Sequence, residues 1–276
     1  MLELTIQFSE GRLFLGLFLA AALSLGAWRL GALAPSGALA ASLAGGLTYG
    51  LGGLSAAILL IAFFGSSSLL SQAYAKRKAR AAANFAKGGR RDWAQVAANG
   101  VMPALALLAG ASGWLAMPVA WVVFAAALGT MTADTWATEV GVLSTTPPRL
   151  ITSGKKVPAG TSGGVSPLGN MIGMGGALFI GLLAWLLPQF VTIQTALIAT
   201  VAGVFGNVFD SYLGATTQAI YYCPNCKKET ERHPTHGCGT KTRLRRGWAW
   251  LNNDWVNFLS AAAGALLAFG AASFFL

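Results

Sequence analysis

The run W-L-A-M-P-V-A-W-V-V-F-A-A-A-L-G-T-M, from Trp114 to Met131, carries no charge, and D-T-W-A-T-E-V-G follows it from Asp134 to Gly141. An α-helix needs about 20 apolar residues to cross the hydrocarbon core of a bilayer, and this run is close to that length. Carboxylates at membrane depth are costly and usually functional. The stretch therefore predicts a spanning helix with an acidic site at its end.

The rest of the chain repeats the first half of that pattern. Of 276 residues, 55% are hydrophobic and 10% are charged. A soluble domain carries about 25% charged residues, so too few polar groups are present to cover a globular surface. Further apolar runs cover Leu13–Leu30, Ala38–Leu51, Leu54–Leu70, Trp93–Ala109, Met171–Leu187, Val191–Tyr212 and Trp255–Phe275. The run Ala38–Leu51 is short and glycine-rich, so it is expected to be broken or re-entrant. The fold expected is all-α: a polytopic integral membrane helical bundle of seven or eight spans, one membrane domain over residues 1–276. The 35 glycines suit close helix approach. The N-terminal region has Glu3 and Glu10 in place of a basic n-region, which argues against a secretory signal.

Three polar segments separate the runs: Gln72–Asp92, Thr132–Asn170 and Gly214–Asp254. An even number of crossings lies between each pair, so all three are expected on one face. Their Lys and Arg excess makes that face cytoplasmic, in a plasma or bacterial inner membrane. The whole chain carries a net charge of +10. Loop charge facing anionic lipid explains part of it, and an anionic substrate is the alternative. No nucleic-acid-binding module is recognisable.

The second segment is the richest. Asp134 and Glu139 are five residues apart, about 500° of helical rotation, which puts them on adjacent faces. Both can reach one Mg²⁺ through oxygen ligands. Arg149, Lys155 and Lys156 follow, and then Gly160-Thr161-Ser162-Gly163-Gly164 and Ser166. Glycines let backbone N–H groups converge on an anion, and lysine brings a point charge to phosphate. The spacing is not that of a Walker A loop. The competing reading is a plain interhelical loop.

In the third run of polar character, Asn207, Asp210, Ser211, Gly214 and Gln218 recur at three- and four-residue steps, which makes a stripe on one helix face. It faces a cavity or a packed polar interface. Asn253, Asp254 and Asn257 extend the same site, or Asp254 serves as the N-cap of the last helix. Lys76–Arg80 in the first segment and Arg243–Arg246 in the third read as lipid-facing charge. Arg90 and Arg91 are followed by Asp92, Gln95 and Asn99 at helical spacing. Asp92 is expected to cap a helix, with Gln95 and Asn99 turned toward the cavity.

All three cysteines fall between Cys223 and Cys238. Cys223-x-x-Cys226, His236 and Cys238 match a tetrahedral structural Zn²⁺ site, with His233 as the alternative fourth ligand. The expected zinc-binding insertion is 223–238, within a cytoplasmic loop over 214–253.

Together these motifs resemble the family of domain of unknown function 92, which includes transmembrane protein 19 and the plant phytyl-phosphate kinase. The resemblance rests on G-G-R-R-x-W-x-Q-V-x-A-N-G at Gly88–Gly100, D-T-W-A-T-E-x-G at Asp134–Gly141, P-R-L-I-T at Pro148–Thr152, V-P-x-G-T-S-G-G-V-S at Val157–Ser166 and D-S-x-L-G-A at Asp210–Ala215. It implies phosphoryl transfer to an isoprenyl monophosphate of the phytyl or geranylgeranyl class, giving the diphosphate. A more distant likeness to CTP-dependent polyprenol kinases implies a nucleoside triphosphate donor such as CTP. Asp134, Glu139, Lys155 and Asp210 then become the expected catalytic residues, with Asp134, Glu139 and Asp210 on Mg²⁺. Arg90, Arg91, Arg149 and Lys156 would neutralise phosphates. The cysteine cluster occurs in only some relatives, so it is expected to stand outside the core chemistry. A transporter or flippase for a phosphate-bearing lipid or small anion is the rival expectation, since polar residues on glycine-broken helices suit it too.

Overall fold

Seven helices in the computed structural model are long and apolar enough to cross a membrane. The structure describes residues 10–78, 89–187 and 192–275, without the side chains of 75–78. Glu3, Lys87 and the side chains of the basic run Lys76–Arg80 lie outside the described residues. The helices are α1 (Glu10–Arg29), α2 (Pro35–Lys78), α3 (Trp93–Ala111), α4 (Met117–Gly141), α5 (Pro167–Leu186), α6 (Ile193–Thr216) and α7 (Asn253–Phe275).

The second and third apolar runs belong to one element, α2. It is broken at Gly53, whose φ of 67° and ψ of −161° are not helical. The contacts on either side show the chain doubling back there. Before the break, Gly37 abuts the Arg91 backbone and Gly52 meets Leu107, so this half runs parallel to α3. After the break, Ser71 bonds Glu139 near the end of α4. That end is beside the start of α3, because the α3–α4 connection is a short turn at the other end of the bundle. The glycine-rich run is thus a helical half, about 27 Å long over Pro35–Gly52 at helical rise, and the half after Gly53 returns.

Helix α4 is the axis of the bundle. Every residue from Ala120 to Ala133 is buried. Helices α2, α3, α5, α6 and α7 all pack on it. Small residues make this possible: Gly129 faces Gly203 of α6, and Gly176 of α5 sits on the Thr132 carbonyl. Such surfaces let backbones approach closely where lipid offers no hydrophobic drive between helices. Large apolar side chains point the other way. Phe14 and Phe18 of α1 and Leu266 of α7 are exposed, as a lipid-facing surface requires.

The polar segments gather at one end. Strand β1 (Arg149–Leu150) pairs antiparallel with β2 (Gly164–Val165). Strands β3 (Ile220–Cys223), β4 (Lys228–Thr230) and β5 (Arg243–Arg246) form a second small sheet in the order β4-β3-β5. Trp248 stacks on Trp250 and Trp250 meets Trp255 edge-on, with ring centroids 5.7 and 6.3 Å apart. All three are exposed. Exposed Trp is typical of the membrane–water interface, which puts this end of the bundle at that boundary.

Candidate phosphate site at the polar end of the bundle

The α3 wall begins with a capping box. Gln95 N–H donates to Asp92 Oδ1 at 3.0 Å, and Asp92 N–H donates back to Gln95 Oε1 at 3.2 Å. The two residues satisfy helix-end groups reciprocally. Just before them, Arg91 turns inward, its guanidinium 5.5 Å from the Phe63 ring centroid and 5.2 Å from that of Phe64. Burial pulls its pKa down to about 10, and the Glu139 charge opposes that shift. Arg91 therefore remains a cation at neutral pH. Deeper on α3, Asn99 Oδ1 is buried and accepts no hydrogen bond among the described residues.

The α4 wall brings Asp134, Thr138 and Glu139. Glu139 is buried and accepts from Ser71 Oγ at 2.8 Å. Across from it, α6 brings Asn207, Asp210 and Ser211. Ser260 Oγ of α7 donates to Asp210 Oδ2 at 3.0 Å. Asp134 and Glu231 lie within electrostatic reach of Asp210. Asp134 is seven residues from the end of α4, about 10 Å along the axis.

The floor is the glycine-rich loop. Gly160 and Gly163 have φ of 81° and 77°, which side chains rarely adopt. A Cβ on Gly163 would also strike the backbone of Ala215, and one on Gly214 would come 2.7 Å from Ser162 Oγ. The motifs at Val157–Ser166 and Asp210–Ala215 are thus two faces of one contact. Arg246 fastens it: Nη1 donates to the Gly214 carbonyl at 2.9 Å and Nη2 to the Ser162 carbonyl at 3.4 Å. The sequence had offered Arg243–Arg246 as lipid-facing charge. Arg246 is instead half-buried against the loop, and burial lowers its pKa.

These walls enclose a cavity of about 470 Å³. Among the expected site residues, Arg91, Gln95, Asn99, Asp134, Glu139, Gly160–Gly164, Ser166, Asn207, Asp210, Ser211, Gln218, Asn253, Asp254 and Asn257 line it. Ser166 also accepts from Gly169 N–H at 3.1 Å as the N-cap of α5. Asp254 lies in the first turn of α7, where Asn252 does the capping by accepting from Trp255 N–H at 3.2 Å. Arg90, Arg149, Lys155 and Lys156 are exposed and not among the lining residues. Arg90 packs over Gly31, at the α1–α2 turn. Arg149 donates to the Gly154 carbonyl at 2.7 Å, at the tip of the hairpin that carries both lysines. Sequence reasoning missed Ser71, Thr138, Glu231 and Arg232, which also line the cavity. Asp134 and Thr138 are one helical turn apart, a signal that was present. Glu231 and Arg232 come from the cysteine loop and had no such signal.

That loop holds a second candidate centre. The ligand atoms of Cys223, Cys226, His236 and Cys238 all lie within 4.8 Å of one another. Cys223 and Cys238 sulfurs are 3.6 Å apart, and His236 Nδ1 is 3.2 Å from Cys238 Sγ and 3.5 Å from Cys226 Sγ. Ligands about 2.0–2.3 Å from a tetrahedral ion stand about 3.3–3.8 Å from each other, so this set can bind a metal. His233 is not in the set. Its ring stacks on Tyr221, with centroids 4.3 Å apart. Hydrogen bonds from Thr240 and His236 bring the Cys238 thiol down to about 5, and bonding to Cys238 pushes Cys226 up to about 11.

Gln218 joins the two centres. It is fully buried, accepts from Ser162 Oγ at 2.6 Å and donates through Nε2 to Glu231 Oε1 at 2.9 Å.

Comparison with known proteins agrees with this architecture. Protein PGR of Arabidopsis thaliana is 32% identical over 224 residues, covering 73% of this chain and 76% of that protein. An uncharacterized membrane protein of Methanocaldococcus jannaschii is 32% identical over 205 residues, covering 74% of this chain and 82% of its own. Protein VTE6, chloroplastic, of Arabidopsis thaliana is 26% identical over 239 residues, covering 86% of this chain and 64% of its own. No solved structure matches. The family described as integral membrane protein DUF92 matches residues 18–265, and the chain belongs to it.

Proposed function

We propose that this protein is a membrane-embedded kinase that transfers a phosphoryl group from a nucleoside triphosphate to an isoprenyl monophosphate. The observation that carries this reading is the cavity itself. Its lining combines the carboxylates Asp134 and Asp210 with a glycine-rich loop and the guanidinium of Arg91. Phosphoryl transfer asks a protein mainly for positioning and charge neutralisation, and these groups supply both. The resemblance to the family of the plant phytyl-phosphate kinase supplies the lipid class.

Asp134, Asp210, Asn207 and Asn257 line the cavity, and carboxylate and amide oxygens are the ligands a hard divalent cation takes. Mg²⁺ held there would neutralise charge on the donor's phosphates. Arg91 would hold the acceptor phosphate at the α3 wall. The loop Gly160–Gly164 would wrap the donor phosphates. An oxygen of the prenyl monophosphate forms the new P–O bond to the γ-phosphorus, the bond from that phosphorus to the β,γ-bridging oxygen breaks, and the nucleoside diphosphate leaves. The prenyl chain would lie between helices, on the cytoplasmic side. We assign zinc to the Cys₃His set, as the staple of the third polar segment.

The test is direct. Purified protein in lipid, given Mg²⁺ and a panel of nucleoside triphosphates including CTP and ATP, should convert phytyl or geranylgeranyl monophosphate to the diphosphate. Folded protein that turns over no pair in the panel removes the kinase reading. Nucleotide-independent flux of a phosphate lipid through liposomes would establish the transporter in its place.

A further inference from the structure

Of the cations the sequence singles out for phosphate, Arg90, Arg149 and Lys156 do not line the cavity and Arg91 does. Among the described lining residues the basic side chains are Arg91 and Arg232. Arg232 belongs to the cysteine loop, four positions before His236. Its backbone is pinned on both sides. The N–H donates to Thr230 Oγ1 at 3.1 Å, and the carbonyl accepts from Thr242 Oγ1 at 3.0 Å. A Cβ on Gly237, between the metal-ligating candidates His236 and Cys238, would come 3.1 Å from Arg232 Nη1. The guanidinium thus packs against the metal turn, and the residue also lines the cavity. Its neighbour Glu231 is held by Gln218, which also holds Ser162.

We infer that Arg232 is a second phosphate-binding guanidinium of the cavity, and that metal on the Cys₃His set holds it there. This rests on the phosphate reading above. A guanidinium suits phosphate because its planar fork makes two parallel charge-assisted bonds. A loop this short has few apolar residues to order it, so the metal supplies its folding energy. The cysteine loop is then a working wall of the cavity.

The test uses the full chain in detergent–lipid micelles with Mg²⁺. Inorganic pyrophosphate is titrated by calorimetry, and zinc is counted by elemental analysis. Arg232→Ala should keep its zinc and its melting temperature and bind pyrophosphate about tenfold or more weakly. Arg232→Lys should recover part of the loss, and Arg243→Ala, an exposed charge on β5, should change nothing. Zinc removal from folded wild type by a thiol-competitive chelator should weaken binding as Arg232→Ala does, with no further loss when both are combined. A non-hydrolysable nucleoside triphosphate and a prenyl monophosphate, titrated separately, tell which phosphate Arg232 takes. Weakening in either arm supports the inference. Wild-type affinity in Arg232→Ala with full zinc, or in zinc-free protein, overturns it. A wild type that binds no pyrophosphate at all overturns the phosphate reading as well.

Discussion

Ser162 Oγ donates a 2.6 Å hydrogen bond to Gln218 Oε1, and the same amide donates onward to Glu231. One buried side chain thus couples the glycine-rich loop to the cysteine loop. A buried amide with both ends bonded is expensive to replace, because its partners lose bonds while still buried. Gln218→Leu should destabilise the protein by about 1–3 kcal/mol. Ser162→Ala should cost less, and the double mutant should cost less than the sum of the two. Thermal unfolding of the four proteins in detergent measures the coupling.

Gly163 is constrained twice, by its φ of 77° and by the Ala215 backbone against it. Gly163→Ala should lower stability by about 1–3 kcal/mol and impair phosphate binding with it. Gly175→Ala is the control. That α5 position has open space around it, and alanine there should be neutral or slightly stabilising. Melting curves that move equally for the two would refute the loop geometry.

Asp134 and Asp210 are two acidic groups within electrostatic reach of each other. Asp134→Asn or Asp210→Asn should lower phosphoryl transfer about a hundredfold or more. The melting temperature without ligand should hold or rise, because repulsion is removed. Turnover and unfolding are measured on the same preparations. A large loss of stability in either variant would assign these carboxylates a structural role.

The choice of His236 over His233 has a stoichiometric consequence. His236→Ala and Cys226→Ser should lose the metal, and His233→Ala should keep one zinc per chain while losing only its stack on Tyr221. Elemental analysis of each purified variant decides. Retention of zinc by His236→Ala would put another ligand in the site.

The helices were legible because apolar runs of spanning length have few alternatives, and because Asp92 advertises the start of α3. The three polar segments were legible as one site because an even number of crossings returns the chain to the same end. What escaped the sequence was side-chain direction in the loops. Lys155 and Lys156 look like phosphate ligands by proximity to Gly160–Gly164. The β1–β2 pairing turns them outward, and pairing of two-residue strands has no periodicity to read. Arg246 looked like one more surface charge, and its bonds to Gly214 and Ser162 span 32 and 84 residues. Arg232 was hidden for the same reason: its place depends on how the cysteine loop folds over the bundle.

Helix α4 bears Asp134 and Glu139 and is buried from Ala120 through Ala133. A bilayer that is too thick or too thin acts on the helices it touches, tilting them or stretching around them. Those are the outer elements, with Phe14, Phe18 and Leu266 on their surfaces. Asp134 and Glu139 stand on a mast that lipid does not touch. Changes in membrane thickness or fluidity should therefore reach the outer ring first and leave the spacing of these two carboxylates largely undisturbed.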